Sequence, residues 1–277
     1  MKKAFSLIEL SIVLLIIGII VAGMTQGSRL IQQFRLNIAR NLTENSPVAS
    51  IKGLSLWYET SLESSFNEAE TEDALLVSEW HDINPQASSR INATASGGQR
   101  PAFHENVFNH LPGIRFDGNA KSMNISHGNF MVNTNYTVFV VSQRRTALAS
   151  YVLGGNTSNF YLGYSHANER IMAANSGVSV VYALPTYSVP VPTIITAALD
   201  TSDSLKLWIN GVLDNLYGVY PDATAITAWS SPSIGVMNSY YFNGDVAEII
   251  IFSRFLKTEE RQEVEEYLSK KYNITVG

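Results

Sequence analysis

The sequence predicts a mainly β protein, with an N-terminal transmembrane α-helix, an antiparallel β-sandwich and a C-terminal helix. Three observations carry this prediction. Residues 5–24 form an apolar run that contains one carboxylate, Glu9. From Gly53 onward, short runs of β-branched and aromatic residues are separated by turn residues. Helical spacing of apolar residues returns only after Thr258. Many short strands without intervening helices are typical of antiparallel sandwiches.

The first part of the chain is predicted to be a short leader followed by one long helix. The apolar run has about 20 residues, which at 1.5 Å per residue cross a hydrocarbon core of about 30 Å. Near-helical spacing of Leu30, Phe34, Ile38 and Leu42 extends the helix beyond the membrane. Pro47 then ends it, because proline cannot continue the helical ladder. The predicted bounds are residues 1–4 for the leader, 5–46 for the helix, 47–52 for a linker and 53–277 for the sandwich.

Glu9 is the unusual residue of this helix. A carboxylate at the centre of a bilayer costs about 2.5–3.5 kcal/mol on insertion scales, so it requires a partner. Cleavage between Ala4 and Phe5 would free an α-amine, and Glu9 of a neighbouring copy would pair with it. These residues, preceded by Lys2 and Lys3, resemble the N-terminus of a type IV prepilin or pseudopilin. Ala4 stands where that family usually has glycine, but alanine is small enough for cleavage.

The resemblance implies partners and a location. Prepilin peptidase would cut after Ala4, the new N-terminus would be methylated, and other pilin-like subunits would pack through the N-terminal helix. The protein would cross the bacterial inner membrane once and export its C-terminal domain to the periplasm, a pilus or the cell surface. Two alternatives stay open: a secretory signal peptide cut near residues 21–23, and a plain signal anchor. Neither gives a reason for Glu9.

Composition narrows the classes of function. The net charge is −5 and no basic stripe is present, so we predict no nucleic-acid partner. The chain has no cysteine, and neither a disulfide nor thiol chemistry is available to it. About 230 residues follow the anchor, which suffices for one large β domain with its own core.

The part after residue 53 is predicted to form short strands and one final helix. Its β-branched and aromatic runs lie at residues 136–142, 193–199, 205–209 and 246–252. Asn210 and Gly211 predict a hairpin, since they supply the positive φ angles of a type I′ turn. Thr258 is the predicted N-cap of the last helix. The apolar stripe of that helix consists of Val264, Tyr267, Leu268 and Tyr272.

A second resemblance covers about residues 52–277. Its landmarks follow one another in the order Leu54-x-Leu-Trp57, Trp80-x-Asp82, Leu111-Pro-Gly-Ile-Arg-Phe-Asp-Gly118, Leu207-Trp-Ile-Asn-Gly211 and Phe242-Asn-Gly-Asp-Val-Ala-Glu-Ile-Ile-Ile-Phe252. They are similar to those of the concanavalin A-like, laminin-G-type jelly roll of many bacterial surface proteins. The resemblance implies this sandwich but no single activity, because the fold serves lectins, glycan hydrolases and structural modules. Two departures, at residues 58–60 and 84–85, are predicted to lie in loops and place any ligand site there in doubt.

A glycan hydrolase of this fold would require paired catalytic carboxylates. Glycan hydrolases on this fold resemble one another in a Glu-x-Asp-x-x-Glu strand motif, which places carboxylates on one face. The nearest match is Asp245-Val-Ala-Glu248, which lacks one of the three acidic residues. We therefore predict structural roles for Asp245 and Glu248, no catalytic residues and no enzymatic activity.

Calcium is the one cofactor for which the sequence offers ligands. Jelly rolls of this kind often bind it through loop carboxylates and carbonyls, which suit a hard cation. The candidate ligands are Asp117 and Asn119 in one loop, and Asp200 and Asp203 in another. The alternative is that all four are ordinary turn residues favoured for their local hydrogen bonds.

The leading functional prediction is a pilin-like, membrane-anchored subunit, in a minor or tip position, whose head serves adhesion by binding a glycan or a surface protein. Exposed aromatic side chains would offer rings for sugars or proteins to stack on, but most tyrosines of this chain are expected to pack within the strands. The tyrosine-rich segments contain Tyr151, Tyr161, Tyr164, Tyr182 and Tyr187, and later Tyr217, Tyr220, Tyr240 and Tyr241. The alternatives are a membrane-anchored carbohydrate-active enzyme and a tip or spacer subunit that binds no ligand.

Overall fold

The computed structural model describes residues 7–155, 160–164, 170–175, 179–183, 189–214 and 225–277. Within them lie two α-helices, α1 (Leu7–Glu44) and α2 (Thr258–Tyr272), and eighteen strands. The strands are β1 (Leu54–Glu59), β2 (Glu79–Trp80), β3 (Ala93–Thr94), β4 (Ala102–Phe108), β5 (Leu111–Asp117), β6 (Met123–Ile125), β7 (Tyr136–Arg144), β8 (Ser150–Gly154), β9 (Phe160–Tyr164), β10 (Ile171–Asn175), β11 (Ser179–Tyr182), β12 (Thr193–Leu199), β13 (Leu205–Ile209), β14 (Val212–Leu213), β15 (Ser233–Ile234), β16 (Val236–Met237), β17 (Tyr240–Tyr241) and β18 (Asn243–Phe252). The predicted fold class is confirmed.

The described strands form two antiparallel sheets of eight strands each, and one small hairpin of β16 and β17. Sheet A has the order β14-β13-β12-β7-β18-β5-β4, and β1 pairs with the second half of β18. Sheet B has the order β11-β10-β9-β8-β15-β6-β3-β2. Strands that are neighbours in space are often distant in sequence, as expected for a jelly-roll sandwich.

The central strands of sheet A are those that the sequence predicted from its β-branched and aromatic runs. All nine residues of β7 are buried, between β12 on one side and β18 on the other. Asn210 and Gly211 adopt φ angles of 49° and 79° between β13 and β14, so the predicted hairpin turn is confirmed.

The main core lies between the two sheets. Alternate residues of each strand point into it, for example Val138 and Val140 from β7, and Leu162 and Ala173 from sheet B. Burying one such aliphatic side chain contributes about 1.5–3 kcal/mol, and the absence of cysteine leaves this packing as the main source of stability.

A second apolar layer covers the outer face of sheet A. Val264 and Leu268 of α2 are fully buried there, together with Ala39 near the end of α1. A 3₁₀ turn, Pro47–Ala49, follows α1 and buries Val48 in the same layer. The N-cap prediction is wrong by one residue, because Thr258 is already the first residue of α2.

Helix α1 is long and apolar enough to cross a membrane, and its C-terminal end contacts the head. It is 38 residues long, or about 57 Å at 1.5 Å per residue. Its first half exposes a nearly continuous apolar surface, and by length and composition it is the one described helix able to cross a membrane. Its last turns touch the head, where the Arg40 guanidinium donates to the Ser61 carbonyl at 2.9 Å and pairs with Glu63 at 2.9 Å.

Candidate functional site

The outer face of sheet B is the candidate binding surface. Both described helices pack against sheet A, so neither of them covers sheet B. The hairpin of β16 and β17 lies on this face. The hairpin packs closely against β8 because position 154 is a glycine. A Cβ added at Gly154 would stand 2.6 Å from the Cβ of Met237.

A cluster of tyrosines, which we name the tyrosine face, stands beside this hairpin. The rings of Tyr151 and Tyr161 meet edge to face at 5.2 Å, and those of Tyr151 and Tyr240 at 5.9 Å. Met172 and Met237 pack beneath them. Tyr240 is 50% exposed, so its ring is open to a ligand.

Strand register explains why these side chains meet. Tyr151 of β8 pairs with Gly163 of β9, and Gly163 pairs with Met172 of β10. Because Gly163 has no side chain, Tyr151 and Met172 are able to close over it. Thr94 and Asn124 pair with each other further along the same sheet and are exposed. This face therefore offers the exposed ring of Tyr240, supported by the largely buried Tyr151 and Tyr161, together with hydrogen-bonding groups. Such a combination recognises a sugar ring with its apolar C–H face and its hydroxyls.

The other predicted tyrosines divide into three groups. Tyr164 is fully buried between the sheets and stacked on Phe242 at 6.1 Å, as expected for a tyrosine that packs within a strand. Tyr241 is half-buried in the hairpin. The structure does not describe the side chains of Tyr182, Tyr187, Tyr217 and Tyr220.

The two predicted calcium loops lie far apart. Asp117 pairs with Asn243, beside the end of β7, whereas Asp200 follows Leu199, which pairs with Tyr136 at the start of β7. The nine residues of β7 separate the two loops by about 26 Å at 3.3 Å per residue. Each loop would have to hold the ion alone.

The oxygens of both loops already accept donors from the protein. One Asp117 oxygen accepts the backbone N–H groups of residues 119, 120 and 121 at 2.9–3.1 Å. Partial burial alone would raise the pKa of Asp117, but these donors hold it below its ordinary value. Asp200 accepts from Ser202, and Asp203 pairs with Lys206 at 2.6 Å. Within the described residues no three acidic, cysteine or histidine side chains converge, and calcium binding by Asp117, Asn119, Asp200 and Asp203 stays a prediction.

Asp245 is held in a buried ion pair. Its carboxylate accepts from both Nε and Nη2 of Arg115, at 2.6 and 3.2 Å, and from Nε2 of Gln143 at 2.9 Å. The Asp245 side chain is fully buried, whereas that of Arg115 is 28% exposed. The carboxylate therefore bridges β5, β7 and β18 on the helix side of sheet A.

Glu248 belongs to a buried charge cluster with Glu59 and Lys271. The Lys271 ammonium lies 2.9 Å from a carboxylate oxygen of each glutamate, and all three side chains are completely shielded from solvent. The Lys271 ammonium also donates to the hydroxyl of Thr43 in α1 at 2.7 Å. Glu248 accepts further hydrogen bonds, each of 2.8 Å, from Trp57, Tyr267 and Tyr272. The cluster joins α1, β1, β18 and α2.

Opposite charges fix the protonation of this cluster. Burial alone would raise the pKa of Glu59, but the Lys271 ammonium and the donors of Ser61, Ser65 and Leu62 lower it. Burial alone would lower the pKa of Lys271, but the two carboxylates raise it. The ammonium and the Glu59 carboxylate therefore persist as ions around neutral pH.

Sequence reasoning missed Lys271 and Glu59. Residues 58–60 were predicted to lie in a loop, but Tyr58 and Glu59 end strand β1 and are buried. One signal was present: Lys271 falls on the apolar stripe of α2, four residues after Tyr267. A lysine on a buried helix face requires a partner, and this observation identifies the residue although it does not identify its partners.

The predicted processing residues lie at or near the start of α1. Ala4 and Phe5 are outside the described residues. Glu9 lies in the first turn of α1, among exposed apolar neighbours. Their roles in cleavage and assembly stay predictions.

Comparison with known proteins identifies shared folds. No family model and no curated protein matches the chain. Among solved structures, a Trypanosoma rangeli sialidase in complex with 2,3-difluorosialic acid gives a TM-score of 0.54 at 13% identity, covering 80% of this chain and 33% of that chain. Botulinum neurotoxin type C, whose cell entry depends on interaction with two ganglioside molecules, gives 0.56 at 11% identity, covering 80% of this chain and 53% of that chain. Domain 4 of the arabinanase AbnA from Geobacillus stearothermophilus, in complex with arabinotriose, gives 0.50 at 16% identity, covering 71% of this chain and 99% of the domain.

These likenesses show a β-sandwich shared with glycan-recognising and glycan-cleaving proteins, and at these identities they show the fold alone. The chain spans about a third of the length of the sialidase it matches. The prediction that the chain has no enzymatic activity is contradicted, because solved structures of a sialidase and of an arabinanase domain share its fold. It relied on one strand motif, and a sandwich of this kind supports other arrangements of catalytic groups.

Proposed function

We propose that the chain is a pilin-like, membrane-anchored surface protein whose head binds a glycan through the tyrosine face. One observation carries the proposal: the anchoring helix packs on sheet A, whereas the aromatic surface lies on the outer face of sheet B. The solved structures with this fold include proteins in complex with sialic acid derivatives or arabinotriose. The arrangement separates the groups that anchor the protein from the groups that contact a ligand.

The surface of α1 beyond the membrane supports an assembly role. Leu30, Ile31, Phe34 and Ile38 are 44–67% exposed and follow helical spacing. The residues of α1 that meet the head, such as Ala39 and Thr43, lie on nearly the opposite side of the helix at 100° per residue. We name the exposed set the α1 stripe. In the proposed assembly, other pilin-like subunits cover this stripe.

The proposed processing follows from Glu9. Prepilin peptidase would cut after Ala4 in the inner membrane, and the amine of Phe5 in one subunit would pair with Glu9 of the next. We expect Glu9→Val to reach the inner membrane but to be missing from sheared filaments on immunoblots. Ser11→Val, on the same helix, serves as the matched control and should assemble. Incorporation of Glu9→Val at the wild-type level, or a mature chain that still begins at Met1 by mass spectrometry, would contradict this role.

Ligand binding is tested with the full chain in detergent micelles on a glycan array, with and without calcium. We expect one class of glycan to bind, and Tyr240→Ala to weaken that binding about tenfold, which corresponds to about 1.4 kcal/mol of lost stacking. Leu213→Ala is the matched control, since Leu213 is 54% exposed on sheet A. An array without binding would instead favour the spacer subunit. Equal binding by the Tyr240 and Leu213 variants would remove the tyrosine face as the site.

A carbohydrate-active enzyme is the second candidate function, and the structural similarity to a sialidase and an arabinanase favours it. The full chain would be incubated with sialyl and arabinan oligosaccharides, and released sugar would be measured by chromatography. Release that depends on the protein would assign hydrolysis to the head. Binding without release would leave glycan recognition as its function.

A further inference from the structure

The buried charge cluster contains more acid than base. Glu59 and Glu248 share a single cation, Lys271, and the side chains of all three are fully shielded from water. Burying ions is costly unless each is fully paired, so a cluster of two carboxylates and one ammonium is an expensive way to stabilise a fold. Combining the Lys271 ammonium with the Glu59 carboxylate into one neutral group would remove two of the three buried charges, and Glu248 would keep its hydrogen bonds from Trp57, Tyr267 and Tyr272.

The amine nitrogen and the carboxyl group that would combine into such a neutral group are in contact. Lys271 Nζ lies 2.9 Å from Oε2 of Glu59, within reach of its carboxyl carbon. Backbone N–H groups donate to both oxygens of Glu59, from Ser61 at 2.7 Å and from Leu62 at 2.6 Å. Donors so placed stabilise negative charge that develops on the carboxyl during attack by a nucleophile.

A second carboxylate is available to transfer protons. Oε2 of Glu248 lies 2.9 Å from the same Lys271 nitrogen, on a different strand from Glu59. The rings of Tyr267 and Tyr272 lie 5.6 and 5.3 Å from the ammonium and shield it from solvent. The Lys271 nitrogen, a carboxyl group held by two backbone N–H groups and a proton carrier thus meet in one dry pocket.

The geometry points to an intramolecular amide bond between Lys271 Nζ and the side-chain carbonyl carbon of Glu59, with Glu248 as the proton carrier. The reaction starts from the resting ion pair: one ammonium proton passes to Glu59, giving a small population of neutral amine and carboxylic acid that the irreversible loss of water would draw forward. The amine then attacks the carboxyl carbon and forms the C–N bond. Glu248 takes a second proton from nitrogen and delivers it to the leaving hydroxyl, the C–O bond breaks, and one water molecule departs. Glu248 ends as it began, and no oxidant or co-reactant is required.

The position of the bond gives it a mechanical role. Glu59 ends the first strand after the anchoring helix, and Lys271 lies in the last turn of α2. An amide between them would close the head into a covalent loop next to the point where α1 enters. In a chain without cysteine, such a bond would do what a disulfide does elsewhere. This inference does not depend on glycan binding.

The test is peptide mass spectrometry of the purified full chain after trypsin digestion. The linked product is the peptide of residues 53–90 joined to the peptide of residues 271–277, lighter than their sum by one water molecule. Trypsin would not cleave after an acylated Lys271, so the free peptide 272–277 should be missing. Lys271→Arg and Glu59→Ala should restore two separate peptides, because neither pair of side chains can form the amide, and Glu248→Gln should leave most of the chain unlinked.

The wild-type digest alone shows whether Glu59 and Lys271 are linked, so the test does not depend on whether the variants fold. Free peptide 272–277 in full yield, together with unmodified 53–90, would overturn the inference. A link from Lys271 to the peptide of residues 207–254 would overturn Glu59 as the acyl donor, since Glu248 lies in that peptide.

Discussion

The ion pair of Asp245 and Arg115 allows a quantitative test of how the outer face of sheet A is held together. Asp245→Asn keeps the shape of the side chain but removes its charge, and its new amide N–H₂ would face the donors of Gln143 or Arg115. Breaking a fully buried pair costs about 3–5 kcal/mol. Because Arg115 is 28% exposed and water screens the pair, we expect about 2–4 kcal/mol less unfolding free energy. A domain of this size should then melt about 4–16 °C lower.

A double-mutant cycle separates the pair from its surroundings. Asp245→Asn, Arg115→Met and the double variant would be melted in detergent micelles and followed by near-ultraviolet circular dichroism, which reports packing of the head. We expect the double variant to be more stable than the sum of the single effects predicts, by a coupling energy of about 1–3 kcal/mol. A coupling energy below about 0.5 kcal/mol would refute the view that this pair holds β5 to β18.

Three further predictions concern other parts of the head. Leu268→Ala should lower the unfolding free energy by about 2–5 kcal/mol, because Leu268 is fully buried between α2 and sheet A, and an unchanged melting temperature would show that α2 is not packed there. Asp117→Asn should lower the melting temperature at pH 7, and this difference should shrink as the pH falls below about 3.8: the folded pKa of Asp117 is lowered, so its contribution is fully present above about pH 3.8 and is lost as the pH falls through the folded value. A difference that stays constant as the solution is acidified would contradict this cause. Gly235→Ala should destabilise the head by more than about 1 kcal/mol, because Gly235 has a φ of 85° and an added Cβ would stand 2.3 Å from the Phe116 ring; wild-type stability of this variant would show that β15 and β16 are connected differently.

Local patterns predicted the elements of this fold well. The turn at Asn210 and Gly211 requires positive φ angles, and few other residue pairs supply them, so its sequence specifies its geometry. The buried strand β7 and the apolar stripe of α2 likewise depend on residues close together in the chain. Strand order was beyond prediction, because the pairing of β1 with β18 joins segments almost 200 residues apart.

The missed residues depend on that long-range pairing. The register of β18 shifts between Val246 and Glu248, and this bulge turns both Ala247 and Glu248 toward α2. Without it, strict alternation would point Glu248 into the core between the sheets. The sequence could not show which tyrosines form the tyrosine face, for a related reason: Tyr161 and Tyr164 differ by three positions in one strand, so they lie on opposite faces, and the register decides which face is exposed.

The α1 stripe and the residues of α1 that contact the head lie on nearly opposite sides of the helix, and this arrangement would favour multivalent binding. Helices that associated along the α1 stripe would form a central bundle, with every sandwich held at its circumference. Sheet A would face inward and sheet B outward in each copy, whatever the number of copies. A ligand displayed repeatedly on a surface would then meet many identical recognition faces at once, and weak single contacts would sum to firm attachment.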